Sequence, residues 1–400
     1  MTIIAQRMGR IQPSPTLAVT KKAADMRARG ENVISLGAGE PDFDTPDFVK
    51  ASGISAIEQG LTKYTAVGGT PTIKEAVRHK FQRDNGLRFK DEEVIVGTGG
   101  KQVLFNVLLA TVDAGDEVII PAPYWVSYPD MVRLAEGTPI IVSCGQEHGF
   151  KLTPESLASA ITPKTKWLII NSPGNPSGAV YSADELRALA GVLDKHPHVH
   201  VLSDDMYEHI LYDGVQFATL ASVAPDLATR VVTVNGVSKA YAMTGWRIGF
   251  AGGDAVIIAA MAKIQSQSTS NPCSISQAAA ATALRGDQSF LQERNQTFKE
   301  RRDLVVARLN GVEGLSCPVP QGAFYVFVNC QGVLGRASPS GGTLNDDVAL
   351  ADYLLSQEKV ALVAGTAFGS RGYFRISYAT STEALTEACQ RIERGCAALR

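Results

Sequence analysis

The 400-residue chain is poor in cysteine, in net charge and in long apolar runs, and each shortage excludes a class of protein. Its six cysteines (Cys144, Cys273, Cys317, Cys330, Cys389 and Cys396) form no CxxC pair and are too sparse for a disulfide scaffold. They read as free, mostly buried thiols in a reducing compartment. Thirty-eight Lys plus Arg against forty Asp plus Glu leaves −2, which gives no electrostatic case for nucleic acid or a membrane surface. No apolar stretch reaches the ~18 residues of a transmembrane helix. The start, MTIIAQRMGRIQPSP, lacks a long apolar segment and a clear cleavage site, so no secretory signal is expected and the cytoplasm is the expected location. No internal repeat is found. What remains is ordinary globular composition, 45% hydrophobic and 20% charged, with length enough for about two or three domains.

From residue 94 short β-branched runs alternate with helical patterns. EEVIVGTGG, DEVIIPAP, TPIIVSC, TKWLIINSPGNPSG, VHVLSDD, TRVVTVNGVSK and RIGFAGG read as strands. KQVLFNVLLATVDAG, WVSYPDMVRLAEG, PESLASAI and SADELRALAGVLDKH read as helices, the last opened by a Ser182/Glu185 capping box. This alternation predicts a mostly parallel sheet covered on both faces, with ligands outside the carboxyl ends of the strands. Residues 254–310 read as helical almost throughout, with a break at Gly286. From about 314, LSCPVPQGAFYVFVNC, KVALVAG and GYFRISYAT read as strands of a smaller α+β unit closed by an amphipathic helix. The first twenty residues read as an irregular arm and 332–347 as a surface loop.

Several familiar patterns fail. GTGGK is no P-loop, because Ile95 stands where the first Gly is needed and Gln102 where the hydroxyl is needed. GAGEPD is no dinucleotide fingerprint, because its third Gly is Asp42. His196, His198 and His200 alternate, but a solvated turn explains them better than a metal site. No metal is expected.

The segments after the strands collect an unusual set: a lone lysine (Lys239), an aspartate beside a tyrosine (Asp204, Tyr207), Asn175, the flat Trp125, glycines before a lysine (Gly99, Gly100, Lys101) and Arg247. Arg375 comes from the second unit. Pyridoxal phosphate needs these residue types. An amine holds its aldehyde, a carboxylate keeps its ring nitrogen protonated, and a flat side chain stacks on it. Backbone amides at a helix start with an arginine hold its phosphate, and a second arginine grips an α-carboxylate.

The chain resembles the class I pyridoxal-phosphate aminotransferases of fold type I, most of all the bacterial aspartate aminotransferase branch of thermophilic and rhizobial type. The resemblance runs from about Pro13 to the C-terminus. It rests on GAGEPDFDTP, KYTAVGG, GTGGKQVLFN, PAPYWVSYP, NSPGNPSG, SDDMYEH, NGVSKAYAMTGWRIG, GAFYVF and FRISYAT, in that order. It implies a large domain with a mixed, mostly parallel seven-stranded sheet between helices, plus a smaller α+β domain. The implied division is 1–46 as N-terminal arm and part of the small domain, 47–300 as the large cofactor-binding domain, and 301–400 as the small C-terminal domain.

The resemblance also implies roles. Lys239 would hold the cofactor and, once freed, move the substrate proton. Asp204, chosen over Asp205 by the S-D-x-x-Y pattern, would pair with the ring nitrogen. Tyr207 and Asn175 would bond the phenolate oxygen, and Trp125 would stack. Gly100, Lys101 and Arg247 would hold the phosphate, with Gly99 allowing close approach. Tyr64 would reach the phosphate of a neighbouring subunit, making a homodimer with shared sites. Arg375 would take the α-carboxylate, near the backbone of Gly39. Lys101 has a second implied role on the distal carboxylate of a dicarboxylic substrate, assisted by Ser14 and Thr16. The chain departs from many relatives at Gln12, where a basic residue is common, and at Pro15, which is expected to stiffen the arm.

The implied reaction is ping-pong transamination from L-aspartate to 2-oxoglutarate, giving oxaloacetate and L-glutamate. Three other readings stay open: prephenate, aromatic or other amino-acid substrates on the same fold, a lyase using the same lysine and aspartate, and a ligand-sensing regulator. The last is disfavoured, because the resemblance starts too early to leave room for a DNA-binding domain.

Overall fold

A computed structural model describes residues 3–400. The strands, in chain order, are β1 (Ile34–Ser35), β2 (Val94–Gly97), β3 (Glu117–Ala122), β4 (Thr138–Ser143), β5 (Thr165–Asn171) and β6 (His200–Asp204). They continue with β7 (Val231–Gly236), β8 (Gly249–Gly252), β9 (Tyr325–Asn329), β10 (Val360–Ala361), β11 (Val363–Ala364) and β12 (Tyr373–Ser377). Seven of them form one sheet in the order β2-β8-β7-β6-β5-β3-β4. All its pairings are parallel except those of β8, which runs antiparallel to both β2 and β7.

The central strands are buried on both faces, which is why they read as continuous apolar runs. Their alternate residues serve two cores. Trp167 and Ile169 of β5 enter one cluster, and Leu168 and Ile170 enter the other. The expected capping box closes the helix Ala183–Leu193: Ser182 accepts from the Glu185 amide, and Glu185 accepts from the Ser182 amide. Each parallel strand therefore ends on the same edge of the sheet, and the polar loops gather there.

A second core packs β9, β12 and the helices Phe290–Asn310, Asp347–Glu358 and Thr382–Ala397. Here β11-β12-β9 form an antiparallel sheet, while β1 pairs in parallel with β10. The helix Phe290–Asn310 runs unbroken through position 300, so the chain passes between the two cores along a rigid element rather than a linker.

Four local expectations need correction. The arm is not irregular throughout, since Pro15 opens the helix Pro15–Ala28; its missing N–H costs nothing at the first helical position. The stretch 254–310 breaks twice, the additional break falling at 267–273 around Pro272, between Ala255–Ser266 and Ser274–Arg285. Of 314–330 only Tyr325–Asn329 is a strand, with a single bridge from Ser316 to Asn329. KVALVAG divides at Leu362 into β10 and β11, which belong to different sheets. All six cysteines are free thiols; five are buried and Cys273 is exposed. No helix among the described residues is long and apolar enough to cross a membrane.

Candidate active site

A cleft of about 410 Å³ opens at the carboxyl edge of the parallel strands and is closed on its other side by Tyr325 and Arg375 from the second core. Asp204 ends β6 inside it. Its Oδ2 accepts a 2.6 Å hydrogen bond from the Tyr128 hydroxyl, while Oδ1 has only a long 3.4 Å contact from the Met206 amide. Burial raises its carboxyl to about 6, against the pull of the Tyr128 bond. One oxygen of a buried acid thus remains available to a donor in the cleft. Asp205 turns away from the cleft and accepts from the Ser203 hydroxyl at 2.7 Å. The choice between the adjacent acids follows from this alternation along an extended chain.

The loop after β7 carries Lys239, whose Nζ donates to the Gly39 carbonyl at 2.6 Å. Burial lowers its ammonium to about 8, Arg375 and Arg247 push the same way, and Glu40 and Asp204 oppose. A neutral amine is therefore accessible near neutral pH, the condition for a nucleophilic lysine. The same loop is tied to the segment 39–45. The Thr244 hydroxyl bonds Glu40, the Thr45 hydroxyl donates to the Ala242 carbonyl at 2.7 Å, and the Trp246 indole donates to Thr45 at 3.0 Å.

Arg247 ends that loop with φ +56, held by a 2.7 Å bond from Nη1 to the Thr244 carbonyl. Gly99 caps the helix Gly100–Thr111 with φ +86, and a Cβ there would strike the Arg247 guanidinium. Glycine is required both by the left-handed backbone and by this close approach. A helix N-terminus and the cations Arg247 and Lys101 thus converge. Burial and Arg247 both lower the Lys101 ammonium, and its Nζ lies 4.8 Å from the centre of the Trp125 ring.

Arg375 on β12 is 2% exposed. Nη1 donates to Asn175 Oδ1 at 2.9 Å and Nη2 to the Gly37 carbonyl at 2.5 Å, while Nε has no partner. It packs 4.6 Å from the Tyr325 ring centre and 5.0 Å from that of Phe368. Among the described residues it has no carboxylate partner, so this buried cation faces the cleft without a counter-ion. Asn175 accepts through Oδ1, which leaves its amide nitrogen to donate. The Tyr207 and Tyr325 hydroxyls bond each other at 2.8 Å, and burial raises the Tyr207 phenol well above its ordinary range.

Lys239, Asp204, Tyr207, Asn175, Trp125, Gly100, Lys101, Arg247, Gly39 and Arg375 all line this cleft, as do Ser14 and Thr16. Gly99 does not line the cleft but packs directly against the Arg247 guanidinium. Tyr64 does not line the cleft and is 93% exposed. Gln12 lines an adjoining hollow that shares Ser14 and Lys101 with the cleft. Sequence reasoning missed Tyr128, Tyr325 and Glu40. All three stand inside the segments quoted for the resemblance, but no local pattern distinguishes a tyrosine that bonds Asp204 or Tyr207 from a core aromatic, and Glu40 meets Thr244 only across 204 positions. Of the alternating histidines, His198 bonds the Thr162 carbonyl at 3.1 Å and packs edge-on against His196 at 6.0 Å, while His200 packs on Trp167.

Residues 31–392 match the sequence model of the family "Aminotransferase class I and II". The aspartate/prephenate aminotransferase of Cereibacter sphaeroides is 57% identical over 399 residues, all of both chains. The crystal structure of the aspartate aminotransferase from Rhizobium meliloti superposes with a TM-score of 0.97 at 55% identity, covering 100% of each chain. That of the Thermus thermophilus aspartate aminotransferase with maleate gives 0.92 at 44% identity, covering 98% of this chain and 100% of the other. Fold, site architecture and full-length likeness agree, and the chain belongs to the class I and II aminotransferase family.

Proposed function

We propose that the chain is an aspartate aminotransferase that carries the amino group of L-aspartate to 2-oxoglutarate, giving oxaloacetate and L-glutamate, with pyridoxal 5'-phosphate as cofactor. The observation that carries this reading is a buried Arg375 without a counter-ion in the same cleft as a lysine amine of lowered basicity. The cofactor fits the residues present. The open oxygen of Asp204 suits a protonated ring nitrogen, the Asn175 amide and Tyr207 hydroxyl suit a phenolate oxygen, and Trp125 offers a flat face. The Gly99–Arg247 cradle at a helix start suits a phosphate.

When bound, the cofactor supplies an aldehyde for amines and a cationic ring that draws electrons from the substrate Cα. The chain's own residues do the rest. Arg375 fixes the α-carboxylate and so aims the Cα–H bond. Lys239, once its amine is free, would take that proton and deliver it to the carbon that was the cofactor's aldehyde, and its lowered pKa suits both transfers. Asp204 stays anionic to hold the ring proton, with Tyr128 sharing its charge. Lys101 has two roles open to it, on the phosphate and on the distal carboxylate. Tyr64 completes the phosphate site of a second copy, so the working form is a homodimer. The division into 1–46, 47–300 and 301–400 and a cytoplasmic location belong to the same reading.

The test is turnover of L-aspartate with 2-oxoglutarate, read as oxaloacetate through a coupled NADH assay, together with the visible band of the bound cofactor. A Lys239→Ala protein that still shows the band and still turns over sinks the site. Oxaloacetate formation no faster than the product of a phenylalanine control sinks the substrate. The relative named for both aspartate and prephenate supports a second acceptor, so prephenate belongs in the panel.

A further inference from the structure

Behind the cleft lies a buried charge network that the proposed chemistry does not use. The turn after β6 divides its side chains between two sides: Asp204, Met206 and Tyr207 line the cleft, whereas Asp205 and Glu208 are buried away from it. Glu208 is 4% exposed, beside the last turns of the helix Pro71–Asn85. Its Oε1 pairs with the ammonium of Lys80, itself 1% exposed, and lies 3.1 Å from His209 Nε2. Its Oε2 accepts from the Asn85 amide at 2.8 Å, and Lys80 donates to the Asn85 oxygen at 2.8 Å. His209 reaches Asp84 at 3.4 Å, and Arg83 grips Asp84 at 2.6 Å. The other elements packed here contribute Tyr241, whose ring lies 6.2 Å from that of His209, and Asn295, which donates to the His209 carbonyl at 2.6 Å.

Asp84, Glu208 and His209 bring ligand atoms close enough for a metal ion. The Lys80 ammonium already occupies the cationic position beside Glu208, so the cluster reads as an internal ion network. Such a network is a weak source of stability, because desolvation offsets most of the attraction, but it demands one geometry. The Glu208 amide donates to the Asp205 carbonyl at 3.0 Å and the Ile210 amide to the Tyr207 carbonyl at 2.8 Å, so fixing Glu208 fixes its neighbours in the same turn.

We propose that Glu208, clamped by Lys80, Asn85 and His209, is a positioning residue that sets where Tyr207 and Asp204 stand in the cleft. The inference rests on the aminotransferase reading for its kinetic consequence only. Misplacement of reacting groups by about 1 Å costs on the order of 100-fold in rate. Glu208→Gln keeps the size and the Asn85 contact but loses the charge. With the holoenzyme, aspartate and 2-oxoglutarate, the expected result is a fall in kcat of about 10- to 100-fold with KM for aspartate within about threefold, and a displaced pH midpoint of the cofactor's visible band. In the protein without added cofactor, amide exchange should accelerate in peptides spanning 204–210 and remain unchanged in β2, β3 and β4.

A lower melting temperature with kcat, KM and the band midpoint unchanged would show a merely structural role and overturn the proposal. So would exchange that accelerates evenly over the whole chain. Should Glu208→Gln not fold, Asn85→Ser removes the amide that bonds both Glu208 and Lys80 and is expected to show the same pattern at about threefold in kcat; unchanged kcat there also overturns it. A wild type without a cofactor band refutes the functional reading instead, and the cofactor-free exchange measurement still decides the clamp.

Discussion

Arg375 and Asn175, 200 positions apart in sequence, meet through a 2.9 Å hydrogen bond from guanidinium to side-chain carbonyl. The bond crosses between the two cores and orients both groups at once. The guanidinium is pinned by Asn175 and by the Gly37 carbonyl, neither of which carries charge. A carboxylate entering the cleft therefore meets a cation whose positive charge no carboxylate among the described residues neutralises. Removing one partner of a buried charged hydrogen bond costs about 2–5 kcal/mol. Arg375→Ala should lower kcat/KM for L-aspartate about 30- to 5,000-fold, with Arg375→Lys between it and wild type because the bidentate fork is lost. Steady-state kinetics against aspartate decide it, and a kcat/KM in Arg375→Ala equal to that of wild type would remove Arg375 from substrate binding.

The lysine makes a pH prediction for attachment of the cofactor. Only the neutral amine attacks an aldehyde, and Lys239 is lowered to about 8 in the protein alone. The rate of cofactor attachment should rise about tenfold per pH unit below 8 and level off above it. Stopped-flow absorbance from pH 6 to 10 measures this. A rise that is still about tenfold per unit between pH 9 and 10 would mean that burial does not lower this amine.

Tyr128→Phe removes the hydroxyl bonded to Asp204 and little else. Asp204 is already raised to about 6 with that bond in place, so without it the carboxyl moves higher still. A hydrogen bond to a charged group contributes about 1.5–3 kcal/mol, so kcat should fall about 10- to 100-fold. The sign with pH follows. The anionic form of Asp204 is lost as pH falls through its pKa, so the defect should be deeper at pH 6 than at pH 8. A uniform loss across that range would count against an effect through Asp204.

The network around Glu208 makes stability depend on pH in both directions. Burial opposes the charge on Glu208, but Lys80 and His209 hold it down at about 2, so its contribution is present above about 4.5 and lost as pH falls toward 2. Burial also opposes the charge on His209, but Glu208 and Asp84 raise it to about 9, so its contribution is present below about 6.5 and lost as pH rises through 9. Both contributions are whole between about pH 4.5 and 6.5. Melting temperature should decline by a few degrees from pH 6.5 to 9, and His209→Gln should flatten that decline. Equal slopes in both proteins would exclude His209 as its source.

The sheet was legible because its strands are buried on both faces, and apolar runs such as VIVG and TKWLII can be little else between helices. Asp204 was separable from Asp205 only through the wider pattern, since both are buried and only geometry distinguishes them. Lys80 and Glu208 were not legible as a pair, because 128 positions separate them and a lysine on a helix ordinarily faces water. Pro15 was read as stiffening an arm when it opens a helix, because proline at the first helical position looks the same as proline in a loop. Tyr128 lay in view three residues after Trp125, but its role depends on a strand that ends 76 positions later.

The pairing of β1 with β10 has a consequence for synthesis. Ile34–Ser35 leave the ribosome early, yet their partner Val360–Ala361 emerges some 330 residues later. The Gly37 and Gly39 carbonyls that hold Arg375 and Lys239 lie on the same early segment. The nascent chain must therefore keep an unfinished strand edge open through nearly all of translation, and the cleft cannot take its final form until the last forty residues are free to fold.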